Sequence, residues 1–291
     1  MTALTAKQGM HLTDNIEDYP SGIIFPIDKP YRWTSADVIR KIKWAACKHF
    51  HNKGLKVGHA GTLDPLATGV LLVCVGKATK LAEELQKHDK EYLAGVSFGA
   101  TTPSYDREKA VDRRFPTDKV SEAELAAVLP SFLGEQEQVA PLFSAKSVDG
   151  VRAYDMARKA WKAAQSGDGG FDHSDAELLS RQHINISKMQ LEAFYPQGTD
   201  AQGIPEPQGW VNPRINVEDV SSLGLPAADI RVGCTKGTYI RALARDLGEA
   251  LESGAFLHSL RRTRTGGFLV EESLTVDQAL ELLGRPESLS D

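Results

Sequence analysis

The sequence predicts an α+β protein. Its strand-like and helix-like segments alternate irregularly, without the successive β–α–β units of a doubly wound sheet. It contains no internal repeat that would indicate a solenoid or propeller. With 41% hydrophobic and 25% charged residues over 291 positions, it can bury a real core in one large domain or two small ones.

Residues 1–20 are polar and acidic, lack the apolar core of a signal peptide, and read as a disordered leader. Ile23–Ile27 reads as a short strand. Thr34 is placed to cap a helix on which Val38, Ile39, Ile42, Ala45 and Ala46 recur at helical spacing, with Lys41 and Lys48 on the exposed face. The run Val57-Gly-His59-Ala-Gly61-Thr62-Leu-Asp64-Pro65-Leu-Ala-Thr-Gly69 then sets one carboxylate in a segment punctuated by glycine and proline. Those residues offer backbone conformations closed to others and fix chain direction. Val70–Val75, wholly apolar, reads as a fully buried strand and is far too short to span a bilayer. Lys80–Lys87 reads as a helix, Glu91–Phe98 as an alternating strand carrying Tyr92, and Ser121-x-x-Glu124 as a capping box opening a helix to about Leu129.

Phe143–Val148, Asp149-Gly150 and Val151–Tyr154 suggest a tight turn leading into a helix through Trp161. Residues 165–180, rich in Gly, Ser and Asp, and 196–213, rich in Pro and Gly, read as insertions. Gln182–Phe194 and Ile230–Cys234 read as strands, and Ile240, Leu243, Ala244, Leu247 and Leu251 form one helical face. Gly267–Val270 and a capped helix from Thr275 close the pattern.

Charge and cysteine usage narrow the function. The net charge of −5 is unfavourable for a nucleic-acid binder, but its distribution is uneven. Arg40, Lys41, Lys43, Lys48, Lys53 and Lys56 fall in a stretch without a carboxylate. A second basic set, Arg231, Lys236, Arg241, Arg245, Arg261, Arg262 and Arg264, surrounds the late motifs. Both sets flank the Asp64 run or the motifs after it, so phosphate contacts are expected from Arg40–Lys56 and Arg261–Arg264. Cys47, Cys74 and Cys234 are odd in number and widely separated, which fits a reducing, cytoplasmic setting. Gly76-Lys77-Ala78 lacks the rest of a phosphate-binding P-loop. Cys47, His49 and His51 lack a second ligand pair at zinc-like spacing, so no metal site is expected.

The Asp64 run resembles the catalytic motif of the pseudouridine synthases. It is most similar to the TruB family, which modifies uridine 55 in the T-loop of tRNA. The resemblance continues, in the family's order, through Gly22–Pro30 with Thr34-Ser35, Asp89-Lys90-Glu91-Tyr92, Pro141–Lys146, Lys236–Arg241 and Leu260-Arg261-Arg262. It implies an isomerase with a mixed, mostly antiparallel sheet, flanking helices and a central catalytic cleft. It also implies one catalytic domain over 21–291, with an RNA-gripping thumb near 139–163. Too few residues follow Arg264 for the further small C-terminal module of many bacterial relatives.

By the same resemblance, Asp64 is the nucleophilic carboxylate, Arg241 pairs with it, and Tyr92 stacks on the uracil near C5. His59 fills the space vacated by a flipped base, or stacks on a neighbouring nucleotide. Lys29 meets a phosphate or supports the loop, and Leu260 lines the uracil pocket. Gly61, Thr62, Lys236 and Tyr239 complete the expected substrate-binding set. The implied partner is the T-stem-loop of tRNA, bound by a monomer without cofactor or metal. A synthase for another RNA uridine, or an RNA-binding or RNA-folding protein, remains the alternative; the carboxylate favours an enzyme, since binding alone does not require it.

Overall fold

The computed structural model describes residues 3–141, 147–148, 151–152, 181–198, 202–203 and 209–284. Its strands, in chain order, begin with β1 Leu4–Thr5, β2 Ile23–Lys29, β3 Val57–Ala60, β4 Thr68–Val75 and β5 Lys90–Phe98. They continue with β6 Ala100–Thr101, β7 Arg113–Arg114, β8 Gly134–Val139, β9 Ser147–Val148 and β10 Val151–Arg152. β11 Arg181–Tyr195, β12 Ala227–Cys234, β13 Ala255–Thr265 and β14 Phe268–Leu269 complete them. The helices are α1 Ser35–His49, α2 Ala82–Lys87, α3 Glu122–Val128, α4 Ile240–Ala250 and α5 Val276–Leu282.

The chain divides into two compact units. One comprises Met1–Tyr92, Pro207–Ile215 and Arg261–Asp291; the other comprises Leu93–Glu206 and Asn216–Leu260. In the first unit β4 is the central strand. It runs antiparallel to β2, from Ile23 opposite Val75 to Lys29 opposite Gly69. On its other side it meets β3 antiparallel and then the end of β13 parallel, with Arg262 opposite Gly69. Being covered on both faces and both edges explains its unbroken apolar sequence. α1 packs on β3 and β4 through Val38, Ile42, Ala45 and Ala46, all buried. Its start is fixed by a reciprocal capping box between Thr34 and Asp37, which satisfies otherwise orphaned backbone donors.

In the second unit the strand order is β5-β12-β11-β8. The long β11 runs antiparallel to both β12 and β8. α4 buries Ile240, Leu243, Ala244 and Leu247, the face that its sequence spacing marks as apolar. Mixed pairing with flanking helices agrees with the α+β expectation. No helix among the described residues is long and apolar enough to cross a membrane.

Several elements differ from expectation. The leader is not structureless: β1 pairs in parallel with β2, and Ala6 and Leu12 are buried. A polar composition is no obstacle there, because backbone hydrogen bonding to the edge of β2 supplies the order. Lys80–Lys87 is split into a 3-10 turn at Gly76–Leu81 and α2. β8 and β13 are strands that the sequence pattern conceals. β8 alternates Glu and Gln on a half-exposed strand, and β13 carries five apolar or small residues and then a basic run. The thumb expected near 139–163 lies mostly outside the described residues. So does the insertion at 165–180, and the one near 196–213 is described only in part.

Gly69 provides a test of the β4–β13 pairing. Its φ is +101°, and a Cβ added there would lie 2.1 Å from the Arg262 carbonyl oxygen. Gly134 also has positive φ, at +95°, but nothing lies within 4 Å of an added Cβ. Gly134→Ala carries only the left-handed strain, about 1–2 kcal/mol. Gly69→Ala adds a backbone clash and should destabilise by at least about 3 kcal/mol in urea unfolding. Equal effects at the two sites would contradict the described pairing.

Candidate active site

The segment from Gly61 to Ala67 joins β3 to β4, and buried side chains hold its backbone at alternate residues. The Arg262 guanidinium donates from Nη2 to the Gly61 carbonyl at 3.1 Å. Ser35 Oγ, at the start of α1, accepts from Leu63 N at 3.0 Å and donates to Leu63 O at 3.1 Å. Lys29 Nζ, at the end of β2, donates to Pro65 O at 3.2 Å. Ala67 N closes a turn onto Asp64 O at 3.1 Å. Asp64 therefore sits between two pinned residues, half-buried, with Thr62 exposed beside it.

Lys29 is 0% exposed and also donates to Trp33 O at 2.6 Å and Pro30 O at 3.0 Å. A buried ammonium is costly unless its three donors are used, and here they are. Burial is the main cause lowering its pKa from 10.5 to about 7. Arg262 adds to the decrease, while Asp64, Asp37 and Asp28 oppose it. The charge of Asp64 is thus felt at Lys29, so the lysine both supports the loop and sets its local field.

Arg262 is 2% exposed, and its Nε donates to Val70 O at 2.7 Å, tying the loop to β4. Arg261 grips Asp28 through two nitrogens at 3.1 and 2.8 Å. Arg264 donates to Gly266 O. The expectation that Arg261–Arg264 supplies phosphate contacts is therefore corrected for Arg262, which is enclosed and bonded to backbone. Arg261, with its side chain 40% exposed, still presents charge to solvent beside Asp28.

His59, on β3 opposite Val73, is half-buried. Its pKa is lowered by burial and then by Arg262, favouring the neutral imidazole, and its buried Nδ1 has no hydrogen-bond partner among the described residues. Tyr92 is buried on β5. Just before it, buried Lys90 donates to the Gln86 and His88 carbonyls, ending α2 and fixing the start of the strand. Gly61, Thr62, His59, Lys29, Asp64 and Tyr92 all belong to the first unit.

Arg241, Lys236, Tyr239 and Leu260 belong to the second. Arg241 is buried in the first turn of α4 and donates to Ser104 O at 3.0 Å. Its Nε lies 3.8 Å from Asp106 Oδ2, and Asp106 also accepts from Ser104 Oγ and Glu108 N. Sequence reasoning missed Asp106, whose only signal is a Ser-x-Asp turn beside a strand. Tyr239 precedes α4, and Gln138 bonds both its N and its O. Lys236 is exposed, and Leu260 is partly buried on β13. Among the described residues, no three or more His, Cys, Asp or Glu side chains are grouped as a metal site would require.

Comparison with known proteins places this architecture. A Cbf5-Nop10-Gar1 complex matches with a TM-score of 0.55 at 25% identity, over 95% of this chain and 60% of that one. An archaeal box H/ACA sRNP Nop10-Cbf5 complex matches with a TM-score of 0.53 at 23% identity, over 96% and 60%. The chain thus spans about 60% of those structures' chains. The fold is that of the pseudouridine synthases.

The TruB family pseudouridylate synthase N-terminal domain matches residues 48–168, and the tRNA pseudouridylate synthase B C-terminal domain matches 241–286. The tRNA pseudouridine synthase B of Phocaeicola vulgatus is 42% identical over 93% of this chain and 97% of its own length. Its counterpart from Bacteroides thetaiotaomicron is 41% identical over 94% and 98%. The Thermus thermophilus relative is 38% identical over 87% and 76%. The chain belongs to the TruB family of pseudouridylate synthases. The match to the family's C-terminal domain covers α4, β13 and α5.

Replacing Lys29 tests the loop support. Lys29→Met leaves three carbonyls without their donor and should cost about 2–4 kcal/mol. The pKa of Lys29 is lower folded than unfolded, so between about 7 and its ordinary value the unfolded chain binds more protons. Wild-type stability therefore gains from this group as pH rises through that window, and the variant lacks the gain. Urea unfolding at pH 7 and pH 9 should show the difference between the two proteins widening with pH. A constant difference would contradict the buried-amine account.

Proposed function

We propose that this chain isomerises uridine 55 in the T-loop of tRNA to pseudouridine. The observation that carries this reading is the pinned Asp64 loop in a member of the TruB family, whose curated relatives are named as tRNA pseudouridine synthases. The reaction breaks the bond between N1 and C1′ and forms one between C5 and C1′. C5 loses a proton and N1 gains one, so atoms balance within the nucleotide. The change is redox-neutral and needs no energy donor.

A T-loop base lies within folded RNA, so it must first be extruded, at a cost of a few kcal/mol repaid by stacking and hydrogen bonds in the enzyme. Asp64 supplies the carboxylate, acting at C1′, at C6 or in elimination to a glycal. Each route divides one difficult rearrangement into easier steps. Holding its loop at residues 61, 63 and 65 limits the reorganisation needed to aim it. In the second unit Arg241 is the basic group of the site, with Asp106 orienting its guanidinium. Tyr92 stacks on the displaced uracil beside C5. His59, held neutral, occupies the vacated space as an uncharged ring. Gly61 and Thr62 in the first unit, and Lys236, Tyr239 and Leu260 in the second, are substrate-binding residues. The enzyme acts as a cytoplasmic monomer without metal or cofactor.

The test is Asp64→Asn with unmodified tRNA transcript and position-resolved mapping of pseudouridine. The amide keeps shape but is a poor nucleophile, so product formation should fall at least about 1,000-fold, equivalent to roughly 4 kcal/mol of barrier. Binding should stay within about threefold. Wild-type product at position 55 and none from the variant is the expected outcome. Substantial turnover by Asp64→Asn would remove the carboxylate from the mechanism.

A further inference from the structure

Around the Asp64 loop the cationic side chains are committed to the protein itself. Lys29 and Arg262 bond carbonyls, and Arg261 bonds Asp28. The outer face of α1 behaves differently. Arg40, Lys43, Trp44 and Lys48 recur at three- and four-residue spacing, which places them on one face, and His51 follows just past the helix end. With Lys53 they line a groove of about 660 Å³ that contains no carboxylate. Lys43, Lys48 and Lys53 form no ion pair among the described residues, whereas Arg40 is matched by Asp37 at 3.1 Å and His51 lies 3.8 Å from Asp14.

A solvated helix face accounts for lysines, but not for the indole among them. Trp44 is 41% exposed, although the opposite face of α1 buries Val38, Ile42, Ala45 and Ala46. Lys48 Nζ stands 4.2 Å from the Trp44 ring centroid, a cation–π contact over one face of the ring. A flat aromatic surface beside three lysines that form no ion pair among the described residues has the two features that hold single-stranded nucleic acid. One is a face for a base and the other is positive charge for the backbone. Since the whole chain carries −5, the concentration of positive charge here is local.

We propose that this groove is a second RNA-contact site, in which an unpaired base stacks on Trp44 while Lys43, Lys48 and Lys53 meet the flanking phosphates. It is distinct from the pinned loop. α1 is about 22 Å long; Ser35 at its start holds Leu63, whereas the groove occupies the later turns. The site would steady an RNA already engaged at Asp64 by gripping nucleotides away from the target. This rests on the reading of the chain as an RNA-modifying enzyme.

The test uses the full chain and four probes: oligouridylate, a fully paired RNA hairpin, inorganic polyphosphate and polyglutamate. Tryptophan fluorescence and direct binding are compared among wild type, Trp44→Phe, Trp44→Ala and the double variant Lys43→Gln/Lys48→Gln. Oligouridylate should quench the wild type, and Trp44→Phe should lose that component while keeping affinity within about twofold. Trp44→Ala should weaken oligouridylate binding at least fivefold, the lower end of a lost base–aromatic stack. The double variant should flatten the dependence of log affinity on log salt by about 1.4, two phosphate contacts on a single strand.

Because the indole is exposed, thermal unfolding of the Trp44 variants should match wild type, which separates binding from folding. Unchanged affinity in Trp44→Ala, or polyphosphate or polyglutamate matching oligouridylate in quenching, would overturn the proposal. Pseudouridine is mapped separately on tRNA. If none forms while Trp44-dependent oligouridylate binding persists, the proposed activity fails and the groove assignment stands.

Discussion

A buried lysine amine holds together the part of the molecule on which the rest depends. Lys29 ends β2, and its three donors reach the turn before α1 and the loop after Asp64. One side chain thereby sets the relation of a strand, a helix start and a loop within the first unit. An apolar residue of similar size fills the space but leaves carbonyls unpaired, and an unpaired buried carbonyl costs more than its hydrogen bond returns. Arg262 and Lys90 follow the same logic. Each is a buried cation spent on backbone carbonyls at a place where regular secondary structure stops. The first unit thus uses charged side chains as internal fasteners around irregular backbone.

This use of charge resolves the distribution of basic residues. Two basic sets are visible in the sequence, and composition treats them alike. The structure separates most of them by burial or pairing, Lys236 being exposed. Arg241 and Arg262 are enclosed, Arg231 pairs with Glu192, and Arg245 lies against Asp246. The α1 set instead faces outward around an exposed indole. A motif arginine is therefore poor evidence for a phosphate contact until its exposure is known, whereas a helix-spaced basic face with an exposed aromatic is better evidence.

Much of the fold was legible because its signals are local. The capping residues Thr34, Ser121 and Thr275 each accept a backbone hydrogen bond at the start of the predicted helix. The apolar run of β4 and the periodicity of α4 likewise report their own surroundings. What escaped depends on partners distant in sequence. β13 is a strand because of its neighbours, not its composition, and β1 is ordered by the edge of β2. Asp64 stood out through the glycines and proline around it, but the Ser35, Lys29 and Arg262 contacts that hold its loop bring together residues 29 to 262. Asp106 was invisible for the same reason, since its significance lies in a guanidinium far along the chain.

The central claim is that the Asp64 loop is rigid because buried side chains hold its backbone. Amide hydrogen exchange measures this directly at Leu63, whose N–H donates to Ser35 Oγ, and at Ala67, whose N–H closes the turn on Asp64. Both amides should exchange on the slow timescale of the β4 core, opening only when the first unit opens. In Ser35→Ala, Leu63 should lose protection while the amides of β4 keep theirs. Exchange of Leu63 and Ala67 in wild type as fast as the exposed turn at Asn52–Gly54 would contradict the account.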